Sequence, residues 1–211
     1  MFLSLFRKRQ SMPPTTGRFL QEDPAAYLAR TYAPTLRAAG DTIPAATAGE
    51  SNWAAAANGG TASASSTHIS DGSGIYPPSG AIDGVRTDAG WGTGHGWASM
   101  IETALPISFQ VDYSGAKNIN RFTVITYQSS STAHLTAGKL GIMNYRIQVW
   151  NNTIQAWQTV VTEKRDVAIM IRVHSLSTPV NTTKCRLIVD DVSGGDGIAR
   201  LLQPEAWGTS P

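Results

Sequence analysis

The most regular feature of the chain is an alternation of apolar and polar positions that recurs from residue 107 onward. Ile107, Phe109, Val111 and Tyr113 alternate with Ser108, Gln110 and Asp112, and Phe122, Val124 and Thr126 with Thr123, Ile125 and Tyr127. Tyr145, Ile147 and Val149 alternate with Arg146, Gln148 and Trp150; Val167, Ile169, Ile171 and Val173, and then Cys185, Leu187 and Val189, repeat the pattern. Successive side chains of a strand point to opposite faces, so such runs between Gly-, Ser- and Asn-rich turns predict antiparallel strands with one buried face. Their number and spacing predict an all-β sandwich or jelly roll. There is no helical stripe of comparable length and no internal repeat.

Residues 1–50 follow another rule. Pro13-Pro14, Pro24, Pro34 and Pro44 punctuate them. Asp23-Pro24 is a helix start, with Asp as N-cap and Pro in the first turn. Tyr27, Leu28 and Tyr32 share one face, and Pro34 ends that helix. A second turn over 35–39 stops at Gly40. This reads as an arm, residues 1–50, with one or two short helices, ahead of a sandwich domain over 51–211. Alone, the arm has too little apolar surface to offset its ordering entropy.

Charge separates the same two parts. The overall +2 consists of +4 in residues 1–40 (six basic, two acidic) and −2 in the remainder. The body is therefore not expected to bind nucleic acid, and the arm is the basic element. Met1 to Phe6 is apolar, but Arg7-Lys8-Arg9 follows it, the reverse of a secretory signal. No apolar run reaches the 18 residues of a membrane span. The expectation is a chain with no signal peptide and no membrane span.

Hydrophobic residues make up 41% of the chain, enough for a core, while charged ones are 15%, below the roughly 25% usual for soluble domains. Six Trp exceed what one core needs and point to a binding surface. Cys185 is the only cysteine, so no intrachain disulfide forms; its place in an alternating run reads as a buried, inert thiol. Loops at 65–80, 84–99 and 129–143 are long enough to carry function or motion. His-Glu-x-x-His, Gly-x-Ser-x-Gly, a phosphate-binding loop and Cys/His metal spacing are all missing. Gly92-x-Gly94-x-Gly96 lacks the strand-then-helix context of a dinucleotide loop. The chain reads as a binding protein, not an enzyme. Asn151-Asn152-Thr153 and Asn181-Thr182-Thr183 are glycosylation sequons by pattern, relevant only to a secreted eukaryotic protein.

Pro78-Ser79-Gly80-Ala81-Ile82-Asp83-Gly84, followed by Thr87, Trp91 and Trp97, resembles the discoidin family (coagulation factor 5/8 type C, galactose-binding-like, family 32 carbohydrate-binding modules). Asn52-Trp53-Ala54 and Ala62-Ser63-Ala64-Ser65-Ser66 resemble its opening segment. Strands at Ile107-Ser108-Phe109-Gln110-Val111-Asp112-Tyr113 and Ile119-Asn120-Arg121-Phe122-Thr123-Val124 follow in the family's order. Tyr145-Arg146-Ile147-Gln148-Val149-Trp150 with Trp157-Gln158-Thr159-Val160 resembles its hairpin, and the segment from Ile198-Ala199-Arg200 to Ala206-Trp207-Gly208 its closing strand. Departures are Gln203 where the family commonly has Glu, Pro204 inside the closing strand, the long 129–143 loop, and the arm.

The resemblance implies a structural Ca²⁺ held by Asp83, Thr87, Asp88 and Gln203 or Glu205, since calcium takes six to eight oxygens, mostly from loops. The other reading is that Asp83 caps a turn, with Gly84 supplying the positive φ. The resemblance also implies glycan binding. An aromatic face from Trp91 or Trp97 would stack on a sugar, with His68 or His95 bonding a hydroxyl; one of the two Trp is expected to plug the end of the sandwich instead, and His95 to be a solvated loop residue. Trp150 ends a strand as either a core residue or an exposed ligand contact. Two functions follow. One is glycan binding at a cell surface, as a free-standing or enzyme-associated module. The other is a structural component of a larger assembly such as a virion (phage tail, neck or capsid decoration), its arm docking on protein partners and its sandwich facing outward; this is fold-level analogy.

Overall fold

The computed structural model describes residues 41–68, 74–101, 103–127, 140–166, 168–193 and 196–211. The predicted arm helices, Val167, residues 69–73 and residues 129–139 lie outside them. Eight strands form: β1 (Ser51–Asn52), β2 (Thr61–Ala64), β3 (Trp97–Ala98), β4 (Ile107–Thr126), β5 (Ile142–Asn151), β6 (Ala156–Glu163), β7 (Ile171–Val192) and β8 (Arg200–Thr209). All pairings between strands are antiparallel. Among the described residues no helix is long and apolar enough to cross a membrane.

The fold is a β-sandwich organised by two long strands. β4 and β7 pair along their lengths, from Ile107 opposite Val189 to Ile125 opposite Ile171. Their first contact region joins β2, β5 and β6 in one layer; their second joins β8, which carries β1 and β3 on its far edge. Register shifts at Asp112/Lys117 and Ile119/Arg121 mark the passage between layers, where bulges bend and twist the strands. Gly115, at φ 90°, sits in the first of these.

The inward residues are those of the alternation. Phe109 and Val111, Phe122, Tyr145, Ile147 and Val149, Leu187 and Val189, and Ala206 form one buried cluster between the layers. Cys185 joins it, and burial pushes its thiol up to about 12. The predicted strand from 167 begins only at Ile171.

In the second layer both faces are covered. Thr123 and Ile125, outward by alternation, are 1% and 0% exposed. Residues 41–50 lie across that face. Asp41 donates its N–H to the Ile171 carbonyl at 3.0 Å and accepts the Val173 N–H at 2.8 Å. Ile43 packs with Ile125, Tyr127 and Leu202, and Glu50 meets Asn120 and Arg121 before β1 begins. The last ten residues of the segment read as an arm thus form a strap on the sandwich.

Pro204 is accommodated because its nitrogen faces away from β4. Two residues on, the Ala206 N–H turns to the Asn52 side chain and its carbonyl to Trp53, so position 204 faces the same edge, between β3 and β1, where no ladder bond is needed.

Candidate functional site

Residues 66–68 and 74–99 converge at one end of the sandwich. Gly90, Gly92, Gly94 and Gly96 all have positive φ, and between them the chain coils tightly. Gly96 donates to the Gly80 carbonyl at 2.8 Å, Gly94 to Ile75 at 3.1 Å, and Ile75 to Gly92 at 2.9 Å. At Gly96 a Cβ would collide with the Trp91 ring, and at Gly90 with the His95 ring. These two glycines are therefore what lets both rings approach the loop backbone so closely.

Trp91 stands in a row of rings. Its centroid is 4.3 Å from Tyr127 and 5.0 Å from Tyr76, which lies 5.4 Å from His68. His68, Tyr76 and Trp91, with Ala98, Ile198 and Arg200, line a cleft of about 80 Å³. Arg200 is oriented by Asp196, with N–O distances of 2.5 and 3.3 Å. Burial would raise the Asp196 carboxyl, but hydrogen bonds from Arg200 and the Ile198 N–H hold it below its ordinary range. The cleft therefore offers an aromatic wall, an imidazole and a fixed guanidinium. Its aromatic part suits the C–H face of a sugar, its polar part the hydroxyls.

Of the residues proposed from sequence, His68 and Trp91 share this cleft. Trp97 does not: it is 0% exposed, packs on Phe109 at 5.1 Å, and donates its indole N–H to the Ser66 carbonyl at 3.1 Å. It is the end plug, and no face is left for a ligand. His95 is bonded to Asp83 at 2.5 Å, so it braces the loop beside the cleft. Trp150 lies on another face of the molecule, against Trp157. Tyr76 and Arg200 were missed as site residues. Arg200 stood inside the closing-strand motif and read only as strand; Tyr76 had no signal beyond its place before Pro77-Pro78.

The calcium set does not fit a cage. Asp83 accepts the Val85 N–H at 2.8 Å while bonding His95, which is the turn-capping arrangement. Thr87 accepts the Ala89 N–H at 3.4 Å. Glu205, with a fully buried side chain, bonds the Arg86 Nε at 2.6 Å and the Trp207 indole N–H at 2.9 Å. Gln203 donates to the same carboxylate at 3.5 Å. The Arg86 guanidinium thus supplies the counter-charge of this carboxylate, and no three His, Cys, Asp or Glu side chains among the described residues gather as a metal site.

No protein-family model and no curated protein sequence matches the chain. Solved structures do match in fold. The family 32 carbohydrate-binding module of Clostridium perfringens NanJ, solved in complex with galactose, is 20% identical, with a TM-score of 0.56, over 75% of this chain and 98% of its own. Chitosan-binding module 1 from the chitosanase/glucanase of Paenibacillus sp. IK-5 is 24% identical, with a TM-score of 0.54, over 75% and 99%. A Streptococcus pneumoniae fucose-binding module is 13% identical, with a TM-score of 0.54, over 77% and 98%. At these identities the likeness is one of fold: the chain has the discoidin-like sandwich of family 32 modules.

Proposed function

We propose that a chain with this fold binds a glycan without transforming it, at the cleft of His68, Tyr76, Trp91 and Arg200. The observation that supports this most is the cleft itself, an aromatic row beside an oriented guanidinium at the loop end of the sandwich. The fold's occurrence in galactose-, chitosan- and fucose-binding modules adds to it. About 80 Å³ is small beside the few hundred Å³ that enclose a drug-sized ligand, so the cleft grips one edge of one sugar. A single stacking face with solvent-competed hydrogen bonds gives a Kd near 1 mM, about −4 kcal/mol. Useful attachment then needs many copies, through effective concentration.

The same reading assigns residues 1–40 to docking. Their +4 charge and recurrent prolines support a docking role on a partner in a larger assembly, a virion being the setting we favour, with the sandwich outward. Residues 41–50 belong to the sandwich in this scheme, because Asp41, Ile43 and Glu50 anchor them.

A glycan array with the protein displayed multivalently tests the cleft, followed by Trp91→Ala and His68→Ala on any hit. Loss of at least tenfold in both, with the fold retained, supports it. Silence across the array, or binding indifferent to both changes, overturns it. Deleting residues 1–40 should leave a folded sandwich that still binds glycan and no longer joins its assembly; normal incorporation would refute the docking role.

A further inference from the structure

The outward face of the β2–β4–β7–β5–β6 layer carries a second constellation, remote in the fold from the loop-end cleft. Trp150 and Trp157 are register partners on β5 and β6, half-buried, with centroids 5.4 Å apart and planes at 73°. Lys184, on the adjoining β7, places its ammonium 4.5 Å from the Trp150 centroid and 5.6 Å from that of Trp157. Arg186 lies 4.3 Å over Trp157. Gln148 accepts the Arg186 Nε–H at 2.8 Å and donates to Thr159 at 3.0 Å.

The charges on this face are unbalanced. Arg146 is neutralised by a bidentate contact to Asp190 at 2.7 and 2.9 Å. Lys184 and Arg186 form no ion pair among the described residues; Asp112 on β4 is the register partner of Lys184, so the less compensated charge is that of Arg186. Burial, and then the neighbouring Arg146 charge, disfavour the charged form of Arg186. Two cations held over indole faces, with no carboxylate in ion-pair contact among the described residues, are complementary to an anion that also has an apolar face.

We propose that this sheet face binds an acidic polysaccharide: the indoles stack on sugar rings, Lys184 and Arg186 bind their carboxylates or sulfates, and Gln148 and Thr159 meet hydroxyls. A nucleic acid also combines flat rings with negative charge. Each ring of either polymer carries about one charge; single strands are held by many phosphate contacts along a basic groove, whereas this face joins two cations to the neutral pair Gln148 and Thr159, which suits sugar hydroxyls.

The test is affinity electrophoresis of the full chain through gels containing polygalacturonate, with dextran as neutral control. Polygalacturonate should retard the protein and dextran should not; about 1 M salt, where the Debye length is about 3 Å, should release it. Lys184→Gln with Arg186→Gln, and separately Trp157→Ala, should each weaken retardation at least tenfold, while Met100→Ala, an exposed position in neither site, leaves it unchanged. The Gln pair removes charge with little change in volume, so it reports on binding even if Trp157→Ala fails to fold. No retardation by polygalacturonate, retardation unaffected by the Gln pair, or stronger binding to single-stranded oligothymidylate overturns the proposal. Loss through Trp91→Ala alone would assign the binding to the cleft.

Discussion

Replacing Arg86 by Ala would leave the Glu205 carboxylate buried without its cation. The Glu205 side chain is 0% exposed and bonds Arg86 at 2.6 Å; what remains is the Trp207 indole N–H at 2.9 Å and the long Gln203 contact. Breaking a buried ion pair from one side costs about 3–5 kcal/mol. Arg86 itself is 44% exposed, so water enters where its side chain was and brings the expected loss down to about 2–3 kcal/mol. For a domain of this size each kcal/mol moves Tm by about 2–4 °C, giving a fall of about 4–12 °C in a circular-dichroism melt. Glu205→Gln on top of Arg86→Ala should recover much of it, because the buried charge is gone and the new amide has an acceptor in the Gln203 Oε1, which is buried without a partner. With the guanidinium already supplying the counter-charge of Glu205, the wild-type melt should not respond to calcium or to chelator. An Arg86→Ala shift below about 1 °C, or a double variant no better than the single, would refute the clip. A wild-type Tm that falls with chelator would restore the calcium reading.

Three further outcomes are expected. Gly96→Ala forces a Cβ onto the Trp91 ring at a φ of 71°, so it should cost about 1–3 kcal/mol in urea unfolding and weaken glycan binding through the displaced ring; unchanged stability would mean the coil is not built as described. Glu50 is held at about 2, first by the Asn120 side chain, then by the Thr47 N–H. Its folded value lies below the unfolded one, so its contribution is present above about pH 4.5 and is lost as pH falls toward about 2; Glu50→Gln should flatten that part of the stability profile, and an unaltered profile would remove the strap's anchor. The Cys185 thiol, raised to about 12 by burial, should resist a thiol reagent at pH 8 in the native state and react on unfolding; fast native labelling would place it outside the core.

The architecture was legible in the chain because strand periodicity is local. Ile107 to Tyr113, Tyr145 to Val149 and Cys185 to Val189 each declare an inner face, and the tertiary structure puts those faces together. Alternation could not show that Ile125, on the face opposite Phe122 and Val124, is buried, since Ile43, which packs on it, comes from residues 41–50. The arm was drawn to residue 50 for the same reason: prolines and low hydrophobicity are seen in sequence, whereas the anchoring of Asp41 on β7 is a contact across 130 positions. At the site, the glycine-spaced loop and its Trp were visible, but which Trp plugs the core and which faces the cleft depends on how the loop coils. Tyr76, Arg200 and Arg86 became site or framework residues only through partners distant in the chain. A residue's chemistry is set by its sequence; its role is set by which side chains the fold brings within a few ångströms of it.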